Sequence, residues 1–205
     1  MDIVADLMKQ VASGDNLALI SKSVGGDGKA VQSVLSMGIP MILGSMASTA
    51  STPAGLDTLT KMLAQGGSGS PLDNMGGFLN NQEAAGGPAM ARSLFGYEMS
   101  GITTAIAQKT GLRPAMVSQV ITIATPIVVG YVGKMFVSQK MDAAGLTSLL
   151  GDQSRLAIAA SPDAAAIAKQ FLGPAVGTVV GTAAVATKAP ESSGGIGGFL
   201  KKLFG

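Results

Sequence analysis

The sequence predicts an all-α fold: two related helical units, further helices behind them, and a tethered tail. Three observations carry this prediction. Apolar residues recur at the i, i+3, i+4 spacing of a helix face through most of the chain. The composition is 47% apolar but only 4% aromatic, so the core packs through Ala, Gly, Met and aliphatic side chains rather than through large rings. One segment also recurs at a constant offset of 86 residues: Leu19-Ile20-Ser21-Lys22-Ser23-Val24-Gly25 aligns with Ala105-Ile106-Ala107-Gln108-Lys109-Thr110-Gly111.

The first unit covers residues 1–65. Its opening, Met1 to Lys9, places apolar residues at helical spacing and carries Asp2 and Asp6 where a secretion signal carries positive charge. A cytoplasmic protein is therefore expected. The repeat continues without a gap, Val31 falling on Val117, Val34 on Val120, Pro40 on Pro126 and Gly44 on Gly130. Gly55-Leu56 matches Gly145-Leu146 after a small insertion. Gly25 and Gly111 suit the left-handed position after a helix.

Residues 66–90 read as a linker rich in Gly, Ser and Pro, with one short helical turn at Met75 to Asn80. The second unit covers residues 91–150. Arg113-Pro114 opens a helix with proline at its first position. Proline disfavours the α conformation in the residue before it, so this helix is expected to stop near Ala124, with Thr125 capping a new helix from Pro126 to Ser138. That second stretch is apolar all round and predicts a buried central helix, and Met41 to Thr49 is its counterpart in the first unit. Ile39, Ile42, Leu43, Val120, Ile127, Val128, Val129 and Met135 are the expected core.

Residues 151–187 predict additional helices at Asp152–Ala160 and, behind Ser161 as N-cap, at Pro162–Leu172. Pro174 to Thr187, rich in Gly, Ala, Val and Thr, reads as a helix with close small-residue contacts or as partly strand-like, the helix being preferred. Residues 188–205 form a Gly-rich tether and an amphipathic tail. On one helical turn Phe199, Leu200, Leu203 and Phe204 share a face, opposite Lys201 and Lys202.

These residues resemble the YidB-like family of bacterial proteins of unknown function. The resemblance rests on Gly25, Pro40, Gly44, Leu94-Phe95-Gly96, Ile106 to Leu112, Ala124 to Gly130 and the closing Gly197 to Gly205. It implies a helical fold described as homeodomain-like, and it implies no activity. The long segment from about Asp152 to Ala189 departs from the family pattern.

Composition narrows the chemistry further. The chain has no histidine and no cysteine, which removes the usual general base at neutral pH, thiolate catalysis and cysteine metal sites. The carboxylates are dispersed: Asp15 and Asp27 flank the second helix, and Asp142, Asp152 and Asp163 stand at expected helix starts, where they act as caps. No Gly-x-Ser-x-Gly elbow occurs. Gly25-Gly26-Asp27-Gly28-Lys29 lacks the spacing of a phosphate-binding loop and reads as a helix connection.

The expectation is a protein that is not an enzyme and has no cofactor, metal site or small-molecule substrate. Net charge is +2 without a concentrated basic face, and the candidate third helix Ile127 to Phe136 offers a single lysine, so nucleic acid is not the expected partner. Only 13% of residues are charged, about half the usual share, which points to surfaces covered by self-association (a homo-oligomer or scaffold) or by another protein. Phe199, Leu200, Lys201, Lys202, Leu203 and Phe204 are the expected partner-docking residues. The alternative reading is membrane association, through this tail or through the apolar hairpin around Pro126.

Overall fold

The computed structural model describes residues 3–12, 14–66, 71–81 and 86–172. The expected partner-docking residues 199–204, the tether and the 174–187 segment lie outside the described residues. Among the described residues the fold is all-helical, with no strand.

The first half holds α1 (Ile3–Val11), α2 (Gly14–Val24), α3 (Gly28–Ala50) and α4 (Pro53–Gly66), then a 3-10 turn (Pro71–Asn74) leading into α5 (Met75–Asn80). The second half holds α6 (Gly87–Phe95), α7 (Glu98–Thr110), α8 (Pro114–Ser138), α9 (Ala143–Ala159) and α10 (Pro162–Phe171). The short helix expected at Met75 to Asn80 is present, and Ser161 caps α10 by accepting from the Ala164 N–H at 3.3 Å. Gly25 and Gly111 adopt φ of 68° and 72°, the left-handed conformation that ends α2 and α7 without a Cβ clash.

The two longest helices, α3 and α8, pack against each other, and their middle stretches, residues 37–46 and 123–130, are buried throughout. Every core residue expected from the sequence is buried, from Leu43, Val120, Ile127 and Val129 at 0% exposure to Met135 at 9%. α4 packs chiefly on α8, and α9 chiefly on α3, so the third long helix of each half lies against the central helix of the other. α1 is tied to α9 at its first turn. The Ile3 N–H, an orphan donor at a helix start, donates to Oε1 of buried Gln153 at 2.8 Å.

Two expectations are corrected. Pro126 does not end a helix: α8 runs unbroken from Pro114 to Ser138, and α3 likewise runs through Pro40. An interior proline removes one backbone donor and crowds the carbonyl four residues back, at about 3 kcal/mol. Burial outweighs this, since each fully buried aliphatic side chain contributes about 1.5–3 kcal/mol and the residues from Ile123 to Gly130 are all buried. Thr125, expected as an N-cap, instead turns its hydroxyl back to donate to the Ile121 carbonyl at 2.8 Å. The Thr122 carbonyl, whose usual donor Pro126 lacks, is approached by the backbone of Gly87 at the start of α6. A Cβ there would lie 2.9 Å from that oxygen and 3.6 Å from the Pro126 ring.

The second correction concerns α9. It starts at Ala143, behind Asp142, whose carboxylate accepts from the Gly145 N–H at 2.7 Å. Asp152 therefore stands inside a helix, ion-paired with Arg155 on the surface, and α9 runs without interruption through the expected boundary at residue 150. The two glycines of its first half disguise a helix whose stability comes from packing Leu146, Leu150 and Ile158.

Candidate docking cleft at the end of the third helix

Several residues singled out in the sequence have structural duties. Asp27 accepts from the N–H groups of Lys29 (3.0 Å) and Ala30 (3.3 Å), so the start of α3 already carries a carboxylate where a phosphate would have to sit. The stretch Ile127 to Val129, within the candidate third helix, is buried in the core. Among the described residues no cluster of three or more carboxylates is arranged to hold a metal ion.

What the fold does leave open is a cleft of about 180 Å³ where four helices meet. The last turns of α3 supply Ser45, Ser48 and Thr49; the end of α6 supplies Leu94 and Phe95; Glu98 opens α7; and Phe171 and Leu172 close α10. The α6–α7 corner is made by Gly96, at φ 51°, whose N–H donates to the Arg92 carbonyl at 2.9 Å. Phe171 lies directly on α7 because position 101 is glycine; a Cβ there would fall 2.3 Å from the ring. α10 is held on α7 by the Lys109–Asp163 ion pair at 2.9 Å.

The cleft has an apolar wall and a polar floor. Leu94 and Phe95 are largely buried, while Glu98 is exposed and, among the described residues, forms none of the ion pairs. Thr49 donates its hydroxyl to the Ser45 carbonyl at 2.8 Å. The Ser45 hydroxyl is buried and, among the described residues, has no hydrogen-bond partner. Tyr97, which precedes the lining residue Glu98 in sequence, is fully exposed.

A cavity of about 150 Å³ is enough to hold one benzene ring, so this cleft accepts one aromatic or branched aliphatic side chain. The Glu98 carboxylate adds a preference for a cation beside it. A buried hydroxyl without a partner carries a desolvation penalty. Ser45→Ala is therefore expected to leave the urea midpoint unchanged or to raise stability by up to about 1 kcal/mol. A clear loss of stability would mean that the hydroxyl is bonded after all.

Sequence reasoning did not find this cleft. Its walls come from residues 45–49, 94–98 and 171–172, which no local pattern joins. One signal was available. The chain has only six Phe and two Tyr, and two of these rings, Phe95 and Phe171, line the cleft.

One other polar contact stands out. The Tyr131 hydroxyl on α8 lies 3.4 Å from an Asp6 carboxylate oxygen on α1. Burial first, and then the Asp6 charge and hydrogen bond, raise the phenol above its ordinary pKa of 10.0, so it stays a donor at neutral pH.

A family model described as Bacterial protein of unknown function (DUF937) matches residues 6–135, which takes in α2 to α7, most of α1 and most of α8. No curated protein and no solved structure matches the chain. The α10 wall of the cleft lies beyond the matched part. The match spans well over half of the chain, and the YidB-like resemblance agrees with it: the protein belongs to this family of bacterial proteins of unknown function.

Proposed function

We propose that this is a non-enzymatic helical interaction protein that self-associates or scaffolds an assembly in the cytoplasm, using the cleft face at the end of α3. The observation that carries the proposal is a cleft walled by Leu94, Phe95, Phe171 and Leu172, with the fully exposed Tyr97 next in sequence to its rim residue Glu98. Exposed aromatics next to a ring-sized pocket are the usual anchors of protein interfaces. The low charge content of the chain as a whole adds support. Residues 199–204 serve as the partner-docking tail.

The same reading includes an internal duplication. Three features support it. α3 and α8 start 86 residues apart and carry Pro40 and Pro126 at that same offset. Thr52 and Asp142, 90 residues apart, cap the N–H groups of Gly55 and Gly145. α4 packs chiefly on α8 and α9 chiefly on α3, a reciprocal exchange that fits two related halves. The homeodomain-like description then belongs to the α2–α3 and α7–α8 pairs.

Multi-angle light scattering from low micromolar to millimolar protein tests the proposal. The apparent mass is expected to rise with concentration, and Tyr97→Ser is expected to weaken association about five- to thirty-fold, the effect of losing one aromatic anchor. A monomer at every concentration would end the self-association reading.

Membrane association is the second reading, favoured by one observation. With the helices unbroken, α3 and α8 are each long and apolar enough to cross a bilayer. Against it, 72% and 67% of their most apolar windows are buried inside the bundle, as in the core of a soluble protein. Recovery of the protein without detergent is expected; partition into the detergent phase would reverse the order of the two readings.

A further inference from the structure

We infer that the cleft is capped by the chain's own C-terminal segment, residues 199–204, which inserts one phenylalanine beside Phe95 and sets Lys201 or Lys202 against Glu98. This rests on the reading of the cleft as a docking site and names its first occupant.

Four observations converge on this occupant. The cleft has the volume of one aromatic ring, and two of the chain's six phenylalanines, Phe199 and Phe204, stand in this segment. Glu98 on the rim is exposed and forms none of the ion pairs among the described residues, and Lys201 and Lys202 lie between those two rings in sequence. Leu172 is itself a cleft residue, so the chain departs from the site it would return to. Twenty-six residues, 173–198, separate Leu172 from Phe199. Their fully extended limit of roughly 90 Å far exceeds the return distance, so the link sets no geometric barrier.

The fourth observation comes from the other half of the molecule. The offset that pairs Pro40 with Pro126 pairs Ser45 with Tyr131. At that place an aromatic ring of the chain itself lies half-buried, with its polar end on Asp6 of α1. Where the second half has a tyrosine the first has a serine, and beside that serine the cleft stands open.

Capping by the chain's own tail is favoured over capping by a neighbour's. A short tether gives an effective concentration near millimolar, above the working concentration of most proteins. A partner or second copy that uses the cleft must therefore displace the tail, and the tail sets the threshold for association.

The protein has no cysteine, so pairs of introduced cysteines report the tail position directly. Ser48→Cys on the cleft rim and Ser33→Cys, fifteen residues earlier on α3 and so about 22 Å away along the helix, are both exposed. Each is combined with Gly205→Cys in the full-length chain and oxidised with diamide, and folding is checked by circular dichroism. The Ser48/Gly205 pair is expected to form a monomer-sized disulfide at least tenfold faster than the Ser33/Gly205 pair. Adding Glu98→Lys, or Phe199→Ser with Phe204→Ser, is expected to bring it down to the rate of the Ser33 pair.

Equal rates for the two pairs, or no slowing by the added substitutions, overturn the inference. A fast product of dimer mass alone also overturns it, since the tail then enters another copy. The light-scattering result is separate. Self-association without preferential monomer cross-linking leaves the proposed function standing and removes only this cap, whereas preferential cross-linking in a protein that never associates keeps the cap and removes the assembly.

Discussion

Leu43→Ala is expected to lower the unfolding free energy by about 2–5 kcal/mol. Leu43 lies in the middle of α3 and has no exposed surface. Truncation there removes buried methyl groups and leaves a cavity between α3 and the helices packed around it, which relax only in part into the space. Domains of this kind are stable by only about 5–15 kcal/mol, so the loss is a large fraction of the whole. Urea unfolding followed by circular dichroism measures it, with Leu19→Ala, at 39% exposure, as the reference that changes little.

The same measurement separates the two readings of α3. A leucine facing lipid gains nothing from leaving water for a neighbouring helix, because hydrocarbon tails are as apolar as its packing partners. A change below about 1 kcal/mol, well under the range for a core truncation, would therefore mean that α3 is not the core of a water-soluble bundle.

The central helices show where sequence is informative and where it stops. Their apolar character was legible because Ile39 to Leu43 and Ile127 to Val129 have no polar face to turn outward. The left-handed glycines at 25 and 111 and the proline opening α8 were legible because each answers a local steric demand. Pro40 and Pro126 were misread for the same reason. Their local preference is to break a helix, but the energy that keeps these helices whole is tertiary and lies in residues brought from elsewhere, such as Gly87 against the Thr122 carbonyl. The cleft was illegible on similar grounds. An aromatic ring announces a core position, but a space left between helices beside a small residue such as Ser45 has no sequence signature of its own.

Two glycines at matching places are expected to respond very differently to alanine. Gly55 and Gly145 each stand three residues behind a capping side chain, Thr52 and Asp142, at the start of α4 and α9. A Cβ on Gly55 would lie 2.2 Å from the carbonyl oxygen of Thr49 and 2.7 Å from the Thr52 hydroxyl. The first of these atoms is backbone in the last turn of α3, and only Ser51 and Thr52 separate that helix from α4, so relief requires the whole corner to open. Overpacking of this kind costs about 1–3 kcal/mol and occasionally more, while alanine returns about 1 kcal/mol of helix propensity. Gly55→Ala is expected to destabilise by about 2 kcal/mol net, with loosening of α4 from α8. On Gly145 the nearest atom is the Asp142 carboxylate oxygen at 3.1 Å, the end of a side chain that can turn aside. There the propensity gain offsets the crowding, and Gly145→Ala is expected to stay within about 1 kcal/mol of the parent protein. Paired urea melts read the difference. Equal effects at the two sites would mean that the α3–α4 corner is looser than its geometry states, and with it the hold of α4 on the opposite half of the bundle.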